Sequence, residues 1–186
     1  MKNSLLLLAL ISMVFLSCDG RQTKKEALER AISKFNLKNT VLENVNYHPE
    51  AYVEIVTDTI ISNSTNVRIK NYSLLDEQIL VSSTTDPKLK ALNYQRVFES
   101  EIIISKASKD VFRTHISAKQ FKAIDTDRFW DSATLQHAWV NQELSTVDDI
   151  KLDIAFINPK NNAYKLYRMS VDLYGLQSLN LIEERG

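Results

Sequence analysis

Asp125, Asp127 and Asp131 place three carboxylates close together, and oxygen-rich loops of this kind can hold calcium. The spacing lacks the central glycine and terminal bidentate glutamate of an EF-hand, so a solvated, helix-terminating loop is the competing expectation. His48, His115 and His137 each stand alone, without the i, i+4 spacing that aims two imidazoles at one metal. A hydrolytic site would have to be assembled from such residues by the fold. There is no G-x-S-x-G, and the three glycines, Gly20, Gly175 and Gly186, are too scattered to cradle a phosphate. A facing pair of glycosidase carboxylates leaves no local signature among 23 acidic residues. These residues call for no metal and no cofactor.

Large aromatics are the other candidates. Phe129 and Trp130 lie in the polar stretch Asp125–Ser132, and Trp139, Tyr164 and Tyr174 follow in the same C-terminal half. Aromatics in loops stack on sugars or fill a partner's pocket. Phe129, Trp130 and Trp139 are therefore the expected partner-binding residues; the alternative for Phe129 and Trp130 is a plug over one end of the sheets.

The single cysteine, Cys18, follows directly on an apolar run, Leu5–Leu16, broken only by Ser12 and preceded by Lys2. That is the layout of a secretory signal, and the run is shorter than the roughly 20 apolar residues a spanning helix needs. Phe15-Leu16-Ser17-Cys18 resembles the lipobox of bacterial lipoproteins. Ser17 fits the small residue before the cysteine, whereas Phe15 and Leu16 depart from an aliphatic residue followed by a small one. The resemblance implies that residues 1–17 are removed and that Cys18 carries lipid. Lipidation also accounts for an unpaired cysteine in an exported chain, and it leaves the folded part without a thiol or a disulfide. Two or three acyl chains anchor stably at about 0.8 kcal/mol per buried methylene.

Lysine plus arginine equal aspartate plus glutamate at 23 each, which argues against nucleic acid as a partner and gives no electrostatic reason for membrane binding beyond the lipid. Three glycines and three prolines offer few places to divide the chain. The expected organisation is a removed signal (1–17), a lipidated cysteine with a short polar spacer (18–23), and one β-rich domain (24–186).

The spacer is short enough to keep that domain near the membrane. Thr23-Lys24-Lys25-Glu26 reads as a capping box, and Leu28, Ala31, Ile32 and Phe35 form one stripe of an amphipathic helix, either docked on the domain's own sheet or offered to a partner. Strands are expected over 51–61, 67–74, 78–83, 94–105 and 111–116, with a turn at 62–66 and a short helical piece reaching Leu92. Ser117-Ala118-Lys119-Gln120 opens a second short helix with Phe121 and Ile124 apolar. Ala133–Leu144 reads as a strand with Leu135, His137 and Trp139 on one face, or as a short helix. Ile150, Leu152, Ile154 and Phe156 alternate, Asn158–Asn162 turns, and Tyr167, Met169, Val171 and Leu173 line the return strand. An edge strand over 176–182 precedes a charged tail. The expected fold is mainly β (α+β), with antiparallel sheets as a sandwich or a strongly curved sheet and two short helices.

The mature chain also resembles the short, β-rich, uncharacterised lipoproteins of Gram-negative bacteria, notably from Asp58-Thr59 through Lys70-Asn71-Tyr72-Ser73-Leu74. That resemblance implies a cell-envelope protein and brings no catalytic residues. Asp19 is followed by Arg21, Lys24 and Lys25 rather than an acidic run, which favours the periplasmic face. The expected role is a non-catalytic module binding a protein or glycan partner, held at the membrane through Cys18. The alternative is a small periplasmic hydrolase with a carboxylate or histidine site.

Overall fold

The computed structural model describes residues 23–38, 42–62, 64–85, 89–172 and 174–186. The expected signal segment, Cys18 and most of the spacer lie outside them, as do Asn63, Pro87 and Leu173. The chain divides into two compact units, Met1–Leu42 and Glu43–Gly186.

In the first unit, helix α1 (Lys24–Lys38) begins on the capping box the sequence predicts. The Thr23 N–H donates to Glu26 Oε2 at 3.2 Å, and Thr23 Oγ1 accepts from the Glu26 N–H at 3.3 Å. Among the described residues no helix is long and apolar enough to cross a membrane.

The rest is mainly β, in two antiparallel sheets. The first contains β1 (Leu42–His48), β2 (Glu54–Ser62), β3 (Thr65–Thr85), β4 (Leu89–Lys106) and β5 (Lys109–Ile116), ordered β1-β4-β3-β2 with β5 also on β4. The second contains β6 (Thr134–Val140), β7 (Asp149–Asn158), β8 (Ala163–Asp172) and β9 (Gln177–Arg185), in sequence order. Between them come α2 (Ala118–Lys122) and a single 3-10 turn, Arg128–Ser132.

Three sequence expectations change here. The two strands expected over 67–74 and 78–83 are one 21-residue strand, whose pairing with β4 is interrupted between Ser73 and Gln78 and then resumes. A bulge absorbs the extra residues without ending the ladder. Arg96 holds it in place: its guanidinium donates to Leu75 O at 2.6 Å, Pro49 O at 3.0 Å and Glu50 O at 3.1 Å. The short helical piece expected up to Leu92 is strand from Leu89 on, with Ala91 opposite Thr84 and Leu92 opposite Ser83, because cross-strand pairing outweighs local preference. The charged end Glu183–Arg185 belongs to β9 itself, paired to β8 through Tyr164, Lys165 and Leu166.

Alternation decides which faces are buried. Val67 and Ile69 of β3, Ile102 and Ile104 of β4, and Ile150, Leu152, Ile154 and Phe156 of β7 belong to one apolar cluster, as do Met169 and Val171 of β8. Two polar links tie β6 to the first sheet. Asn71, buried on β3, donates from Nδ2 to Ala138 O at 3.2 Å and accepts the Ala138 N–H on Oδ1 at 3.1 Å, as a neighbouring strand would. Thr134 Oγ1 accepts from the Phe98 N–H at 2.7 Å. Phe121 of α2 is buried against Trp130, Phe156 and Tyr167, whereas Ile124, expected on the same apolar face, lies beyond the helix end and is exposed.

Candidate functional site: a groove across the outer face of the C-terminal sheet

The site begins with a defect in β6. Pairing with β7 shifts between Leu135 and His137, so Gln136 is an extra residue and the alternation inverts across it. Leu135, Ala138 and Val140 point into the core, while His137 and Trp139 project from the opposite face. This corrects the expectation that Leu135, His137 and Trp139 share a face. Period-two reasoning fails across a one-residue bulge.

On that outer face the two rings lie near-parallel, 18° between planes and 5.9 Å between centroids. Opposite His137 on β7 is Ala155, the smallest side chain on this face of the strand, and next along the same face is Ile157. Opposite Ile157 on β8 is Tyr164, and opposite Tyr164 on β9 is Arg185, whose guanidinium sits 5.0 Å from the tyrosine ring centre. The result is a groove of about 530 Å³ with Ala155 and Ile157 as floor, His137 and Trp139 as one wall, and Tyr164 and Arg185 as the other. The strands carrying Trp139 and Tyr164, β6 and β8, stand two strand spacings apart, about 9.6 Å.

A second cavity of about 520 Å³ shares Gln136, Ile157 and Asn162 with the first and runs on between the sheets past Phe98, Asn93, Gln95 and His48. The bulge residue Gln136 thus lies where the two meet. Asn162, in the left-handed region (φ 59°) within the β7–β8 turn, lines both cavities. Among the described residues the side chains of Gln136, His137 and Asn162 make no hydrogen bond. No protein-family model matches the chain, and no curated protein matches it.

Charge near the groove is balanced. Arg185 Nε lies 2.8 Å from Glu183 Oε1. Beside Trp139, Arg168 binds both oxygens of Asp153 at 2.7 and 3.0 Å, and Asn141 Nδ2 donates to the same carboxylate at 2.8 Å. Burial raises the Asp153 pKa, but these bonds outweigh it and the net shift is downward. Asp153 therefore stays ionised and structural, unable to serve as a general acid near neutral pH.

Of the expected partner-binding residues, only Trp139 is on this surface. Phe129 and Trp130 are 8 and 3% exposed, packed edge to face at 4.9 Å, with Trp130 against Phe121 and Phe156. They form the plug, because the 3-10 turn points both rings inward and Trp130 Nε1 satisfies its donor on Asp125 Oδ2 at 2.9 Å.

The aspartate cluster is organised around an ammonium. Lys165, 4% exposed on the inner face of β8, lies 2.6 Å from Asp127, 3.6 Å from Asp125 and 3.2 Å from Glu184, and within 5.3 Å of the Phe129 ring centre. Burial disfavours its charge, yet the bonds it donates to Asp127 and Glu184 outweigh that and raise the pKa. Asp131 turns away to Lys122 at 2.9 Å. Lys165 meets both Asp125 and Asp127, and no calcium role follows from the loop.

The histidines stay apart. His115 Nε2 lies 2.8 Å from Glu99 Oε2 and 3.3 Å from Tyr72 Oη, on the outer face of the first sheet. The Glu99 side chain is 13% exposed and that of His115 42%, and neither residue lines either cavity above. His48 is at the far end of the second cavity and His137 in the first. Sequence reasoning missed Gln136, Ala155, Asn162 and Arg185 altogether. The visible signal was a lone alanine in an alternating apolar strand, flanked in pairing order by a His-x-Trp and a tyrosine.

Proposed function

We propose that the chain is a lipoprotein of the bacterial cell envelope, tethered through acyl chains on Cys18 and facing the periplasm, whose β domain recognises a protein or glycan partner without catalysis. Its two sheets pack as a sandwich, and the groove over β7 is the recognition surface. The observation that carries this reading is the groove itself: two aromatic walls, a small apolar floor and unengaged amides, open along one face. Such concave, mixed surfaces bury ligands with a few polar groups fixing orientation. The balanced charges at Asp153 and Arg185 suit recognition rather than proton transfer. A short spacer keeps this surface within a few nanometres of the membrane.

Two measurements in cells test the halves separately. Labelled palmitate should enter the wild-type protein and not Cys18→Ser; equal labelling would sink the anchor. A photoreactive residue at Gln136 should give a discrete adduct that Trp139→Ala diminishes, whereas the same probe at exposed Lys109 should not. Equal adducts at both positions would sink the recognition surface.

A further inference from the structure

We infer that the groove binds an uncharged hexopyranose chain, lying along β7 between the Trp139 and Tyr164 walls and reaching the second cavity past Gln136. The inference rests on the recognition role proposed above and narrows it to one ligand class.

Three features of the lining select the ligand. First, the floor is an interior strand. Every backbone pairing direction of β7 is already taken by β6 and β8, so an extended peptide laid in the groove finds no ladder to join, which removes the usual source of strand affinity. A ligand must bring side groups that bond to side chains. Second, the unengaged polar side chains are the Gln136 and Asn162 amides, each offering two donors and an acceptor, and the His137 imidazole, whose ring nitrogens donate or accept. Sugar hydroxyls are donor and acceptor at once and match amides in either sense. Third, the walls are aromatic faces, and a pyranose presents a face of C–H groups that packs on such a ring while its hydroxyls point outward in the ring plane.

Charge disfavours the anionic alternatives. Arg185 lines the groove but is paired through Nε with Glu183 and lies against the Tyr164 ring, and Arg168 is spent on Asp153, so a uronate or phosphate meets no net excess of positive charge there. The shallow apolar floor at Ala155 and Ile157 leaves room for a methyl group, such as that of an acetamido substituent.

The test uses the full mature protein in detergent micelles and reads tryptophan emission. Trp139 lines the groove, while buried Trp130 contributes a constant background. The probes are β-1,4-linked tetramers of N-acetylglucosamine and of glucose, a tetramer of galacturonic acid, and an alternating Val-Thr hexapeptide. At least one neutral tetramer should shift the emission saturably. Trp139→Ala should abolish the shift, and by calorimetry Trp139→Ala and Tyr164→Ala should each weaken binding roughly tenfold, with Gln136→Ala weakening it several-fold. Unchanged circular dichroism in these variants separates lost contacts from lost fold.

Binding of the hexapeptide alone would overturn the saccharide inference and leave the recognition role standing. Binding of galacturonate alone would overturn it by charge. No saturable response to any probe at millimolar concentration would also overturn it, while the adduct at Gln136 decides the broader role independently.

Discussion

Trp130 and Trp139 are nine positions apart, and they are opposites. Trp130 sits among Phe121, Phe129 and Phe156 with ring centres 4.9 to 5.2 Å away, and its indole N–H is spent on Asp125. Trp139 faces outward with His137 as its ring neighbour and no hydrogen bond from its indole among the described residues. Trp130 holds the fold closed; Trp139 is carried by the fold. The same residue type ends buried in one place and partly exposed in the other because its element decides: the 3-10 turn aims Trp130 inward, whereas Trp139 stands on the outer face of β6.

Truncation separates the two most sharply. Trp130→Ala removes an indole from contact with Phe121, Phe129, Phe156 and Tyr167 and should cost about 3–5 kcal/mol, seen as an earlier midpoint in urea. Trp139→Ala should shift that midpoint by less than about 1 kcal/mol, since the lost area is partly wet. Equal losses would mean that Trp139 is a second core tryptophan and that the groove is a packing defect.

Much of this frame was legible in advance. The β7–β8 hairpin follows from clean alternation of Ile150, Leu152, Ile154 and Phe156 against Met169 and Val171, and the capping boxes at Thr23 and Ser117 were plain in residue type. The groove was not legible, because it depends on one bulged residue. Gln136 carries no mark that distinguishes it from an ordinary strand residue, yet it puts Leu135 and His137, which plain alternation would place on one face, on opposite faces. Polar surroundings misled in the opposite direction. Asp125, Asp127 and Asp131 suggested an exposed loop around Phe129 and Trp130, but two of those carboxylates fold back on Lys165, a partner 38 residues from Asp127. Long-range pairing of that kind leaves no local trace.

Trp139 is carried on β6, and Asn71 holds that strand to the first sheet. Asn71→Ala strips both a donor and an acceptor from Ala138, leaving a buried N–H and C=O unpaired at a cost of about 1–3 kcal/mol. Because the link is to β6, the groove should feel it as well: hydrogen exchange should accelerate at Ala138 and its neighbours while the β7–β8 pairing stays protected. Uniform acceleration across the second sheet would show that Asn71 holds the whole core and not this edge.

The smallest effect concerns acid. Asp127 has a lowered pKa, held down first by Lys165 and then by the Phe129 N–H, and Asp125 is lowered by the Trp130 N–H and the Asp127 N–H. A carboxylate whose folded pKa is depressed contributes stability above the ordinary value near 3.9 and loses it as pH falls through the lower folded value, so the effect appears below about pH 4. Lys165 has the reverse sign. Its raised pKa gives stability present at neutral pH and lost only as pH climbs above about 10.4, the ordinary lysine value. The denaturant midpoint should therefore fall below pH 4, and Asp127→Asn should flatten that fall. The change should be modest, because the carboxylates are two-fifths exposed and, when Asp127 is neutral, Glu184 still faces the ammonium at 3.2 Å. The groove provides the contrast: neither Trp139 nor Tyr164 contacts these groups, so ligand affinity should persist through the first part of the acid loss. Affinity falling in step with stability would tie the plug and the groove into one cooperative unit and erase the distinction between the two tryptophans.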